Sequence, residues 1–427
     1  MESLKEGIIA DSENFEFSDS PKTAVFADLH IHSRFSRATS KYINLENLEK
    51  YARIKGLGLL GTGDFQHALW FKELNELEER DGILYTKTGF PFVWQTEISL
   101  MYTQDGKGRR VHLVILAPSK EVVQQITKFL GSKGRLDYDG RPIFGFNSIE
   151  LVDEMMRISN EIEIIPAHAW TPWFGIFGSK SGFNSLKEAF QDREKNIHAI
   201  ETGMSSDPEM NWHLSQLNNK SIISFSDIHS FWPWRLGREA TIFNIDKEKL
   251  SYKEIIRQIR ENLISGTIET DPAYGKYHYD GHRLCNFSSS SEETKKLKGI
   301  CPICKKPLTI GVENRVEELT DQEIDKNLNK KPYYKILPLH ELIALAKAST
   351  LASRKTWLVY NNLIEKFGNE FNILLHISKE ELIKALPEDL VLVDLILRNR
   401  EGKIKVKAGY DGTYGEAMLG EKQAKLI

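Results

Sequence analysis

His30 and His32 close the apolar run AVFADLH as an H-x-H pair. Residues i and i+2 lie on one side of an extended chain, so two imidazoles placed this way can grip one metal ion. Asp64 ends the next run, LGLLGTGD, and Glu97 ends PFVWQTE. His112 lies within RRVHLVILAP, His168 follows EIEIIPA, and Asp227 and His229 form a D-x-H after SIISFS. Acidic and imidazole groups thus recur at the C-terminal ends of predicted strands. That is where α/β barrels gather chemistry, because the βα loops converge there. Mixed nitrogen and oxygen donors without thiols suit Zn, Mn or Fe(II) rather than Ca. Eight such side chains exceed what one ion can use, so a cluster of two or three ions is expected, with Glu97 as the candidate bridge. H-x-H or D-x-H alone is as readily a solvated pair; the weight lies in the recurrence. His67 (a further ligand or a partner behind one) and Glu201, at another strand end, stay open. His198 and His213 read as ordinary polar or core residues.

A second constellation uses all three cysteines. His282-x-x-Cys285 and Cys301-x-x-Cys304 are separated by 15 residues. Two short knuckles at this distance fit a closed tetrahedral Cys₃His zinc site, with His278 as the rival fourth ligand. A module this small has little core, so its folding energy would come from the metal.

The elements that must position these groups alternate. Short apolar runs and amphipathic stretches follow each other from Thr23 to about Ile245, the pattern of an α/β domain. INLENLEKYARIKG reads as a helix with Asn44 as N-cap and Gly56 just past its end. Residues 1–22 form a lead-in, 23–270 a catalytic domain, 271–325 the zinc-binding module and 326–427 a helical C-terminal domain. The last ends in a short strand-and-turn tail. Charge is near balance, with 57 Lys and Arg against 60 Asp and Glu in 427 residues. This excludes a strongly basic coat protein but not a local basic groove. No apolar run approaches the roughly 20 residues of a membrane span. Three cysteines, all in one segment, point to a reducing cytoplasm.

Six of the eight Trp (Trp70, Trp94, Trp170, Trp173, Trp232 and Trp234) lie within six residues of a proposed ligand. Any one of them can be core. HAWTPWFGIFG differs, because it is an aromatic loop directly after a ligand. Trp170, Trp173 and Phe174 are therefore candidate contacts for stacked nucleobases. Arg34, Arg37, Lys41, Lys133 and Arg135 are candidate phosphate-holding cations, each alone as readily a solvated charge. EKQAKLI begins like a sliding-clamp peptide at Gln423 but lacks the closing aromatic pair.

DLHIHS, GTGD, the Glu97 strand, PAH at 166–168 and SDIH at 226–229 resemble the polymerase-and-histidinol-phosphatase (PHP) domain. The resemblance implies a distorted (β/α)7 barrel with a multinuclear metal site for phosphoester hydrolysis. It also implies ligand roles for His30, His32, Asp64, Glu97, His112, His168, Asp227 and His229. PHP domains usually carry Asp or His five or six residues after the second His. Here Arg37 and Ala38 stand there, so one metal position is altered, and Arg37 could face a substrate phosphate. Together with YHYDGHRLC, CPIC, RVEEL and GYDGTYG, the whole chain after about residue 23 resembles the endonuclease Q family. That resemblance implies a metal-dependent DNA-repair endonuclease that nicks 5′ to deaminated bases (uracil, hypoxanthine, xanthine) and abasic sites. Its expected cofactors are two or three divalent ions (Zn, Mn, Fe or Mg) and one structural Zn. Its expected setting is the nucleoid-associated cytoplasm, without a membrane. Two rivals remain. A PHP phosphatase of a small ester explains the first site but not the second. A non-catalytic DNA-binding protein would use the metals only structurally.

Overall fold

In the strand Ala24–Asp28, Val25 and Ala27 face one core while Phe26 packs on another. The same period of two runs through the neighbouring strands. Leu59, Val93, Val114, Leu116, Ile165, Ala199, Ile223 and Phe243 join Val25 and Ala27 in one interior cluster. Tyr252, Ile255, Ile256 and Ile259 of the helix Tyr252–Arg260 close this cluster. Side chains on the opposite strand faces pack beneath the outer helices. The structure, a computed structural model, describes residues 24–324 and 329–418. The lead-in 1–22 and the clamp-like EKQAKLI lie outside the described residues.

The central sheet runs Tyr333–Lys335, Gly266–Glu269, Ala240–Asn244, Ala24–Asp28, Leu59–Gly61, Pro91–Gln104. There it branches, to Ile83–Tyr85 and Glu78–Arg80 on one path and to Lys107–Ala117 and Glu163–Pro166 on the other. Ala199–Glu201 and Ser221–Ile223 form a separate parallel pair. Hydrogen bonds tie this pair to the sheet: Ala169 N donates to Glu201 O at 2.9 Å, and Ser224 N donates at 3.1 Å to Thr241 Oγ1, which donates back to Ser224 O at 3.0 Å.

Pro91–Gln104 continues seven residues beyond Glu97 and turns back through Asp105 and Gly106, at φ +52° and +72°. An Asp-Gly pair with both φ positive is a tight hairpin turn. Glu97, expected at a strand end, therefore sits mid-strand, on the same inward face as Val93. His112 shares the inward face of Val114 and Leu116.

The helix Leu45–Lys55 begins where expected, with the Asn44 side chain accepting from Asn47 N, and ends at Gly56 with φ +100°. A Cβ on Gly56 would also lie 2.5 Å from Asn369 Oδ1, so glycine is required twice over. From residue 339 to 400 the chain is helical, in Leu339–Lys347, Arg354–Phe367, Glu370–Leu375, Lys379–Ala385 and Leu390–Arg400, and the hairpin Lys405–Lys407 with Glu416–Met418 follows. The region expected to be helical nevertheless opens with the strand Tyr333–Lys335, which extends the central sheet. Lys55, on the helix Leu45–Lys55, fastens the C-terminal helices to the α/β domain. Its Nζ lies 2.6 Å from Glu370 Oε1 and 2.9 Å from Pro233 O, fully buried. Among the described residues no helix is long and apolar enough to cross a membrane.

Candidate metal centre and active site

Six of the eight expected side chains converge. His30, His32, Glu97 and Asp227 bring one donor atom each within 4.8 Å of one another, and Glu97, His112 and His168 do the same. Glu97 belongs to both groups. Its Oε2 lies 3.2 Å from His32 Nε2, and its Oε1 lies 2.8 Å from His112 Nδ1 and 3.3 Å from His168 Nε2. Asp227 Oδ1 is 3.1 Å from His32 Nε2 and 3.7 Å from His30 Nε2. A tetrahedral shell with bonds of about 2.0–2.2 Å has edges of about 3.3–3.6 Å, close to these separations. Among the described residues, His30 Nε2, His32 Nε2 and Asp227 Oδ1 are buried without a well-aligned hydrogen bond. Orphaned polar atoms of this kind are costly unless something else satisfies them. This donor set fits divalent cations.

The far side of three imidazoles is held. His30 Nδ1 meets Glu201 at 2.9 and 3.1 Å, His32 Nδ1 meets Asp64 Oδ1 at 3.0 Å, and His168 Nδ1 meets Thr171 Oγ1 at 2.9 Å. An acceptor behind one ring nitrogen fixes the tautomer that leaves the other with a free lone pair. Glu201 also accepts from the His168 amide at 2.6 Å. Asp64, His168 and Asp227 all sit at positive φ (+43°, +31° and +48°), a backbone region non-glycine residues seldom adopt. Such strain collects where the fold over-determines a working group.

Two expected ligands stand outside both groups. Both oxygens of Asp64 are spent on His32 Nδ1, Ser33 N at 2.7 Å, Ser33 Oγ at 2.6 Å and Ser36 Oγ at 2.9 Å. Asp64 therefore braces His32 from behind. His229 Nδ1 lies 3.1 Å from the Asp227 carbonyl, and its ring centroid is 5.0 Å from that of His32. His67 stacks on Phe35 at 4.3 Å.

Burial disfavours an ionised Glu97, yet His112, Arg141 and His30 hold its carboxyl well below the usual range. Asp227 is lowered likewise by His30, His32 and His229 against burial. Burial brings His112 down to about 4 despite Glu97 beside it. Burial also pulls on His30 and His32, but the surrounding carboxylates raise both well above the ordinary value. Ligand histidines bind a cation only in their neutral form, so metal binding here would be coupled to proton release. Sequence reading passed over Arg141, whose Nη1 lies 3.0 Å from Glu97 Oε2.

The expected substrate contacts divide. Trp170 is fully buried and donates its indole N–H to Asn211 Oδ1 at 2.8 Å, so it is a core residue and not an open stacking wall. Trp173 is exposed, edge-on to Tyr277, and Phe174, at φ +69°, packs on His112 at 4.3 Å. Arg34 is committed to Glu73 and to the Ile43 carbonyl. Arg37 points into solvent, with its Nε 3.4 Å from Asp139 Oδ2. Lys133 and Arg135 are paired on the surface with Glu150 and Asp137. A cavity of about 500 Å³ is lined by Phe35, Gln66, His67, Leu69, Phe71 and Leu136.

His282, Cys285, Cys301 and Cys304 form a third group within 4.8 Å. The hairpin Asp280–His282 with Phe287–Ser289 carries the first knuckle. His278 stays outside this group, its ring tilted against that of Tyr279 with centroids 5.0 Å apart.

The chain matches known proteins along most of its length. The lesion-specific endonuclease PfuEndoQ from Pyrococcus furiosus superposes with a TM-score of 0.83 at 28% identity, over 94% of this chain and 97% of that one. Endonuclease Q bound to a 27-mer duplex with an abasic lesion at its active site gives 0.83 at 29%, over 94% and 98%. The uncharacterized protein YqxK of Bacillus subtilis is 28% identical over 413 residues, 92% of this chain and 98% of its own. The uncharacterized protein MJ0043 of Methanocaldococcus jannaschii is 31% identical over 286 residues, 66% of this chain. The chain spans only about a third (34%) of MJ0043. The family described as the MJ0043 C-terminal domain matches residues 338–403, the helical region. The chain is thus a structural relative of endonuclease Q over most of its length.

Proposed function

We propose that this protein is a metal-dependent DNA endonuclease of repair, cutting the phosphodiester 5′ to deaminated bases and abasic sites. The observation that carries this reading is the pair of ligand groups sharing Glu97, set in a chain that follows endonuclease Q throughout. His30, His32, Glu97 and Asp227 would hold one divalent ion and Glu97, His112 and His168 another. Asp64 and Glu201 would orient the histidines, with His229 flanking them. Bound ions supply Lewis acidity and activate water, so the chain needs no Ser or Cys nucleophile. The residues do the rest. Glu97 keeps the two groups in register, the braced imidazoles keep their lone pairs inward, and Phe174 shields His112 from solvent. His282, Cys285, Cys301 and Cys304 would hold a structural zinc. We also read 23–270 as a PHP-type barrel, 271–325 as the zinc module and 326–427 as the C-terminal domain.

A deaminated base differs from its parent at a groove edge that is hard to read inside a duplex, so the nucleotide would be extruded. The cavity of about 500 Å³ walled by the stacked Phe35 and His67 supports this, being within the size range of small-ligand pockets. Trp173 and Phe174 remain candidate contacts on the His112 side. The test uses end-labelled duplexes with one uracil, hypoxanthine or abasic site, incubated with protein and Mg, Mn or Zn. A single cut 5′ to the lesion is expected, absent in His30→Ala and Asp227→Ala. Uncut duplexes alongside turnover of a small phosphomonoester would replace this reading with a phosphatase.

A further inference from the structure

The position that sequence marks as altered, five and six residues after His32, does not turn toward the metal groups. Arg37 is 70% exposed at its side chain, and Ala38 is exposed at φ +62°. A carboxylate offers about four lone-pair sites. Asp64 fills its own with His32, Ser33 N, Ser33 Oγ and Ser36 Oγ. Among the described residues, Asp64 thus has its acceptor sites taken and none to spare for a third ion. A different cation reaches the centre instead, through the tripeptide Asp139-Gly140-Arg141. Asp139 Oδ1 accepts from the amides of Arg37 and Arg141, both at 3.1 Å. Gly140 N donates to Phe35 O at 3.0 Å. A Cβ on Gly140 would lie 2.2 Å from Asp64 Oδ2, so only glycine lets this backbone rest against Asp64. The next side chain then meets Glu97 Oε2 at 3.0 Å, with a quarter of its surface still open to solvent.

We propose that Arg141 is the third cation of the centre, a guanidinium in place of a third metal ion, and that its unspent N–H donors hold a non-bridging oxygen of the scissile phosphate. The proposal rests on the phosphodiesterase reading above. A guanidinium keeps its charge at every working pH, and its planar fork matches phosphate oxygens. Nη1 is used on Glu97, and a quarter of the side chain is open to solvent. Losing one preorganised donor to a transition-state oxygen typically costs about 10²–10³ in rate.

The experiment compares wild type, Arg141→Met and Arg141→Lys on three readouts. The first is metal content of the isolated protein by mass spectrometry. The second is the salt dependence of binding to a duplex with one tetrahydrofuran abasic analogue. The third is the single-turnover nicking rate on that duplex. Wild type is expected to carry three ions per chain: two in the centre and one in the cysteine module. Arg141→Met is expected to keep all three, cut about 10²-fold more slowly, and lose about one unit from its log–log salt slope. Arg141→Lys is expected to regain the slope and part of the rate. Four ions in wild type, an unchanged salt slope in Arg141→Met, or ions lost from that variant would each overturn the assignment. A wild type that binds three ions but cuts no lesion-bearing duplex would instead refute the endonuclease reading.

Discussion

Glu201 tests whether the histidines are tuned from behind. It is fully buried, with one oxygen 2.9 Å from His30 Nδ1 and the other accepting from the His168 amide at 2.6 Å. A carboxylate can only accept, so His30 must carry its proton on Nδ1 and leave Nε2 free for a cation. Glu201→Gln keeps the shape and changes this logic. The amide oxygen must face the His168 N–H, which turns the NH₂ toward His30 Nδ1. That donor moves the proton to Nε2, the nitrogen that faces Asp227 and Glu97. Changes behind metal-bound histidines typically cost 10–100-fold in affinity. That is about 1.4–2.7 kcal/mol. Competition with a chelator of known affinity measures it directly, and far-UV circular dichroism checks that the fold is kept. We expect the catalytic ions to be released at 10–100-fold weaker chelator, while the cysteine module keeps its ion. Equal affinities in wild type and Glu201→Gln would refute the tautomer argument.

Three further outcomes are expected. Cys301→Ala removes one of four grouped donors, so it should lose one ion per chain and loosen the hairpin Asp280–His282 with Phe287–Ser289; unchanged zinc content rules the site out. Lys55→Met strands the buried Glu370 and should cost about 3–5 kcal/mol in unfolding, so a loss well under about 1 kcal/mol would mean water already reaches that pair. His340 is buried with neither ring nitrogen hydrogen-bonded among the described residues, and burial, with Lys55 nearby, lowers it to about 3. The unfolded chain takes up this proton below about pH 6.5 and the folded chain does not. Stability is therefore lost as pH falls through that window, by about 2 kcal/mol between pH 7.5 and 5. Thermal unfolding of His340→Phe should lack this increment, and parallel pH profiles for the two proteins would count against it.

Much of the centre could be read from residue types and spacing. H-x-H, D-x-H and the His after EIEIIPA sit at strand ends, and alternation already tells which of them share a side. Direction was harder to see. Asp64 looks like any other ligand in sequence, because its turn away depends on the Ser33 and Ser36 hydroxyls closing on it. Trp170 looked like an open wall until a partner 41 residues away, Asn211, claimed its indole. The Asp105-Gly106 turn, a strong hairpin signal, places Glu97 mid-strand and was passed over. Arg141 has no spacing relation to any motif. Its one local sign is the glycine before it, and glycines are common. The helical C-terminal stretch was legible in outline, but SKEELIKALPEDLVLVDLIL is two helices, Lys379–Ala385 and Leu390–Arg400, broken around Pro387.

Glu370 lies within the stretch matched by the MJ0043 C-terminal domain family, yet its counter-charge comes from Lys55, far outside that stretch. The seam between recognisable modules is thus sealed by an acid of one and a base of the other. Shuffling the C-terminal module onto another scaffold would carry away an acid built to be dry. Any recombination at this boundary must transplant the lysine as well, or replace both partners together with apolar residues of matching volume.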